Sequence, residues 1–136
     1  MQHILPQSSP GTARNPAELI DMVRRGLPRR AVDEVADRLA LSRREMARIL
    51  GLSERTLQRQ QPDARLSAGA SERLLQLVLL YERGEDVFED IEKFKRWMRR
   101  PLRVLYDKAP LDWLDTAIGF RMVEDELIRI EDFVIA

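Results

Sequence analysis

Cysteine is absent from all 136 residues, so neither a disulfide framework nor a thiolate metal site is available. That absence suits a reducing cytoplasm, the expected location. Histidine is nearly missing too: His3 lies alone near the N-terminus, where it makes neither a metal site nor a catalytic base. No glycine-rich phosphate loop occurs. Carboxylate neighbours such as Glu124 and Asp125 can be drawn as an acid and a base, but solvated helix faces carry such pairs routinely. The chain is therefore read as non-catalytic, with no cofactor and no metal. The longest apolar run, residues 74–81, is broken by Gln76 and is too short to span a bilayer. The N-terminus lacks the charged and then apolar order of a signal peptide, so no membrane partner is expected.

Lysine is missing from the front half alone. Residues 1–65 hold 12 Arg against 8 Asp and Glu (net +4), while residues 66–136 hold 11 Lys and Arg against 15 Asp and Glu (net −4). A basic half favours phosphate binding, because each cation brought to a nucleic acid releases condensed counterions. Arginine adds planar paired donors for phosphate and guanine. An ordinary mixed surface remains the alternative, since four charges is a small excess.

What is present is helical throughout. With apolar residues at 44%, a packed core can form. Residues 1–14 carry Pro6, Ser8, Ser9, Pro10 and Gly11 with little periodicity and read as a flexible tail. Asn15-Pro16-Ala17-Glu18 is a helix start, with a cap, a proline and an acid in the first turn. Its apolar residues are Leu19, Ile20 and Val23, and it stops near Gly26. Pro28 opens the next helix, with Val32, Val35 and Leu39 at helical spacing.

Residues 42–60, SRREMARILGLSERTLQRQ, spell two short helices around a glycine turn. Ser42 and Glu45 fit a capping box, and Met46, Ala47, Ile49 and Leu50 supply an inward face. Gly51 permits a left-handed turn, Ser53 caps the second helix, and Leu57 points back to the first. This is the order of a DNA-binding helix-turn-helix, whose second helix enters the major groove. Glu54, Arg55, Gln58 and Arg59 would face outward. Arg55 and Arg59 would read base edges or phosphates, and Gln58 an adenine edge. Thr56, Ser53, Arg43 and Arg44 would meet the backbone. Gln60 departs from the pattern, where an apolar residue is usual. An ordinary helical hairpin is the competing reading.

After Pro62, a central buried helix is expected over residues 70–81, then a short helix over about 90–100 ending before Pro101. Pro110 starts a turn through Trp113 and Leu114. Thr116 caps a last helix with Phe120, Val123, Leu127 and Ile130. The expected fold is all-α: a helix-turn-helix bundle over residues 15–65, then a small helical domain over residues 66–136.

The rear domain carries a longer signature. Trp97, Met98, Pro101, Leu105, Pro110, Asp112, Leu114, Thr116, Gly119, Val123, Leu127 and Ile130 stand in one continuous order. That order resembles the toxin-binding domain of the MbcA/ParS/Xre antitoxin family. Leu66-Ser67, residues 71–75 (SERLL) and Val87-Phe88 are similar to its opening helix. With the turn motif, the resemblance covers roughly residues 16–136. It implies a type II antitoxin whose partner is a RES-domain toxin that consumes NAD. It implies also that the rear domain covers the toxin's active site, while the front domain dimerises and binds operator DNA to repress its own operon.

The acidic rear half would suit a basic cleft that handles an anionic dinucleotide. The chain ends in Phe133, Val134, Ile135 and Ala136, an apolar tip after Arg129, Glu131 and Asp132, and these seven are the expected toxin contacts. A frayed tail or a core contact is the alternative for that tip. Family members often carry glycine near Phe133. Phenylalanine resists the left-handed turn glycine allows, leaving open whether it anchors an interface. Two other functions remain: a stand-alone helix-turn-helix regulator whose rear domain dimerises or binds another partner, and an interaction module that never binds DNA.

Overall fold

The computed structural model describes residues 15–135, with side chains through residue 133. The flexible tail expected over residues 1–14 and Ala136 lie outside the described residues, as do the side chains of Val134 and Ile135. The described chain is α-helical: α1 Pro16–Arg25, α2 Arg30–Leu39, α3 Arg43–Leu50, α4 Glu54–Arg59, α5 Ala68–Phe88, α6 Ile91–Met98 and α7 Ala117–Ile135. Two 3₁₀ turns, Arg103–Leu105 and Pro110–Trp113, lie between α6 and α7. Among the described residues, extended pairing is limited to two isolated bridges, Pro28 with Arg65 and Leu102 with Lys108. The chain packs as two units that divide after Val78, inside α5. That packing division falls later than the boundary expected after residue 65.

In the front unit, Asn15 caps α1 by accepting from the Glu18 N–H at 2.9 Å. The helix buries none of its residues fully and leaves Ile20 exposed. It ends at Gly26, whose φ of 83° and whose contact with the Leu66 carbonyl leave no room for a Cβ. The start of α2 is shifted from Pro28 to Arg30, because the chain there pairs with the segment before α5. The Arg29 N–H donates to the Ala64 oxygen at 2.8 Å, and the Leu66 N–H donates to the Leu27 oxygen at 2.9 Å. Ser71, fully buried on α5, accepts from the Leu27 N–H at 2.9 Å. Val32, Val35 and Leu39 of α2 join Met46, Ile49, Leu50 and Leu57 in the core, together with Leu74 and Leu77 of α5. Each such aliphatic side chain contributes about 1.5–3 kcal/mol by leaving water.

In the rear unit, an aromatic cluster explains why α5 runs past Tyr81 to Phe88. Phe94 meets Tyr81 edge-on at 5.1 Å and stacks on Trp97 at 5.7 Å, while Phe88 leans on both Phe94 and Trp97. Gly84 lets the Phe94 ring approach; a Cβ there would lie 2.4 Å from ring carbons. Burial of these rings outweighs the roughly 1 kcal/mol that glycine costs inside a helix. Asp90 caps α6 through the Glu92 N–H at 2.8 Å.

Candidate nucleic-acid interface and partner-binding helix

The helix-turn-helix forms from local signals. Ser42 Oγ accepts from the Glu45 N–H at 3.0 Å, and Glu45 Oε1 accepts from the Ser42 N–H at 2.8 Å, completing the capping box that starts α3. Gly51 adopts φ 72°, and the next N–H, that of Leu52, donates to the Ala47 oxygen at 2.9 Å, closing the helix end. Ser53 Oγ accepts from the Thr56 N–H at 3.0 Å and pairs with the Thr56 hydroxyl at 2.8 Å. The role of Ser53 as a cap is thereby accounted for, and its hydroxyl is engaged. Leu57, with no exposed surface, fastens α4 to the core.

Around those fixed points, Arg43, Arg44, Ser53, Glu54, Arg55, Thr56, Gln58 and Arg59 are all exposed. None of Arg43, Arg44, Arg55 and Arg59 enters an ion pair with another described residue. Four guanidinium groups without an acidic partner among the described residues therefore lie on the exposed sides of α3 and α4, the arrangement a polyanion needs.

Two further arginines, which the sequence does not single out, face inward in the structure. Arg29 is 5% exposed; its Nε donates to the Leu57 oxygen of α4 at 2.8 Å, and its Nη1 to Asp33 at 3.0 Å. Arg73 of α5 donates to the Ile49 oxygen near the end of α3 at 3.2 Å. Each guanidinium thus meets the negative end of one helix of the motif. A charged side chain in sequence gives no signal of this role, since the carbonyl it meets belongs to a distant turn. Gln60, flagged by its type, is half-buried at the end of α4. Its Oε1 is enclosed without a hydrogen-bond partner among the described residues.

In the rear unit, several signature residues turn out to hold the backbone. Asp112 accepts from the Ala109 N–H at 3.0 Å, fixing the turn begun by Pro110. Half-buried Trp113 donates from Nε1 to the Leu105 oxygen at 3.0 Å. Thr116 caps α7 by accepting from the Gly119 N–H at 2.9 Å. A Cβ on Gly119 would lie 1.9 Å from the Trp113 carbonyl oxygen. Trp97, Leu105, Leu114, Val123 and Leu127 are core residues.

The expected partner contacts divide along α7. Glu131 pairs with Arg83 of α5 at 2.5 Å and is half-buried, which ties α7 down. Arg129 pairs with Glu126 on its own helix at 2.6 Å. Asp132 is exposed, and Phe133 is 84% exposed, the largest exposed apolar side chain of the helix end. The backbone stays helical through Ile135, so the residue in the place of glycine continues the helix, with no left-handed turn. Glu124, on the same helix, has its carboxyl held above the ordinary range, chiefly by loss of surrounding water. Neighbouring Asp125 adds to the effect, and Arg121 and Arg83 oppose it. Among the described residues, no helix is long and apolar enough to cross a membrane.

Residues 18–79 match the family model of the antitoxin Xre-like helix-turn-helix domain, and residues 83–132 match that of the antitoxin Xre/MbcA/ParS C-terminal toxin-binding domain. The chain is also similar to two proteins named Antitoxin Xre. One, from Photorhabdus laumondii subsp. laumondii, is 29% identical over 113 residues, covering 82% of this chain and 76% of that protein. The other, from Yersinia enterocolitica serotype O:8, is 28% identical over 115 residues, covering 83% of this chain and 78% of that protein.

Proposed function

The chain belongs to the Xre/MbcA/ParS antitoxin family, and from that premise we propose that it silences a RES-type NAD-degrading toxin and represses its own operon. It is a type II antitoxin with a helix-turn-helix domain and a toxin-binding domain. In the proposed division of work, the front unit reads operator DNA with α4. Arg55 and Arg59 contact bases or phosphates, Gln58 contacts a base edge, and Arg43 and Arg44 hold phosphates. A palindromic operator requires a two-fold assembly, so the working form is a homodimer within a larger toxin–antitoxin complex.

The observation that carries the neutralising role is the exposed end of α7. Phe133 stands out in solvent beside exposed Asp132, while Glu131, two residues back, is pinned to Arg83. An aromatic side chain on a tethered helix is the type of group that anchors a protein interface. The apolar residues Val134, Ile135 and Ala136 continue the sequence beyond it. Covering the toxin's active site with this end would exclude a dinucleotide without any chemistry by the antitoxin.

The test is co-expression with the product of the adjacent reading frame, followed by an NAD-consumption assay. The intact chain should co-purify with that product and stop NAD loss, and a chain lacking residues 132–136 should fold but fail to protect. Full protection by the shortened chain would remove α7's end from the mechanism. Absence of any co-purifying partner would favour a stand-alone regulator.

A further inference from the structure

The acidic balance of the rear half conceals a strongly basic segment. Residues 93–108 hold seven cations and one acid, Asp107 (net +6); the rest of residues 66–136 holds four cations and 14 acids (net −10). We infer that this segment of the toxin-binding unit is a second nucleic-acid contact, which grips the phosphate backbone of duplex DNA without reading bases. The inference rests on the reading that this chain works on DNA, and it adds a surface to the helix-turn-helix.

The fold fixes the cations outward. Phe94, Trp97 and Met98 turn the apolar face of α6 into the core, leaving Lys93 and Arg96 exposed one turn apart. Pro101 follows the helix end, and Arg100 and Arg103 on either side of it are exposed too. None of these four is engaged by an acid or an acceptor among the described residues, whereas Lys95 is paired with Glu92 at 3.3 Å. The bridge between Leu102 and Lys108 folds the last cation back beside the strip, and the Asp107 N–H donates to the Leu102 oxygen at 2.9 Å to hold that loop.

The chemistry favours phosphate over a protein partner. A protein interface is built around a fully buried apolar centre from which charged residues as a class are depleted. Here Phe94, Trp97 and Met98 of α6 are spent on the core, while the cations face solvent. Among its large apolar side chains the segment exposes only Val104 and Tyr106, and Tyr106 leans edge-on against Trp113 at 5.9 Å. Phosphate contact needs only accessible cations, each worth a released counterion. Because the strip is tethered to a DNA-reading module, even weak contacts act at a high local concentration.

The test measures binding of the full chain to its own upstream duplex, and to a mixed-sequence duplex, across a salt series. It compares wild type with Lys93→Gln/Arg96→Gln/Arg100→Gln/Arg103→Gln, after thermal melting confirms that both are folded. Four lost phosphate contacts make the slope of log affinity against log salt shallower by about 3–4 units. Between 50 and 200 mM salt, wild type then loses roughly a hundredfold more affinity than the variant. The preference for own over mixed sequence should be unchanged, because backbone contacts carry no sequence information. Should the quadruple variant misfold, Arg96→Gln/Arg100→Gln is expected to give about half the slope change. An unchanged slope on both duplexes overturns the inference. If neutralisation is lost as well with the slope unchanged, the strip belongs instead to an acidic face of the toxin. A wild type with no preference for its own DNA defeats the helix-turn-helix reading alone, and the strip is still judged on the mixed duplex.

Discussion

Arg29 Nε donates to the carbonyl oxygen of Leu57 across 2.8 Å, tying the start of α2 to the end of α4 from 28 residues away. A six-residue helix has few internal hydrogen bonds, so its direction is set by what holds its ends. Ser53 holds one end, and Arg29 holds the other.

Arg29→Met keeps most of the side chain's bulk, removes its donors and leaves the Leu57 oxygen unpaired. Such a change should cost about 2 kcal/mol in urea unfolding, the usual loss for a buried charged hydrogen bond. It should also weaken operator binding in conditions where the variant is folded. Asp33→Ala is the control: the Asp33 side chain is 58% exposed, so losing the pair should cost under about 1 kcal/mol. Equal costs for the two variants would assign the stabilisation to the ion pair, against the clamp on α4.

Gln60 carries an enclosed oxygen without a partner, and such an atom costs about 1–3 kcal/mol. Gln60→Leu should therefore raise the thermal midpoint, restoring the apolar residue usual at this place. A lower midpoint would mean that the amide makes a bond absent from this account.

Gly119 is forced by space. Gly119→Ala would drive a methyl into the Trp113 carbonyl and should destabilise the rear unit by about 2–3 kcal/mol. Gly69, with nothing within 4 Å of a Cβ, offers the contrast: Gly69→Ala should be neutral or stabilising. Melting both variants side by side checks the pair.

Glu124 has a carboxyl whose pKa is raised in the folded chain. A raised value means the native state holds the proton more tightly than the unfolded chain. The group's stabilising contribution is complete below the unfolded pKa and is lost as pH rises through the folded one. Glu124→Gln should accordingly be more stable than wild type at pH 7, and the two should converge below about pH 4. Urea unfolding at both pH values checks this; a wild type more stable than the variant at pH 7 would reverse the assignment.

Short-range devices were legible from the residues alone. The Ser42–Glu45 box, the Gly51 turn, the Asn15 cap and the Thr116 cap each act within three or four positions, and all stand as expected. Tertiary effects were not legible. Helix α5 continues past Tyr81 because Phe94 packs on Gly84, a contact no helical period announces. Arg29 counted toward a basic front half, yet it is buried against a carbonyl. Glu131 stands in sequence with the apolar tip, while Arg83, 48 residues earlier, holds it to α5. Averaging charge over a whole half concealed the basic segment at residues 93–108.

The central claim, that reading DNA and silencing a partner are separate tasks of separate units, is tested most directly by one titration. Full-length wild type and Arg55→Ala/Arg59→Ala are titrated against fluorescent operator DNA, and the same preparations are assayed for neutralisation. The account predicts operator affinity lower by about tenfold or more, with neutralisation unchanged. Unchanged operator affinity, or neutralisation lost along with it, would contradict the account.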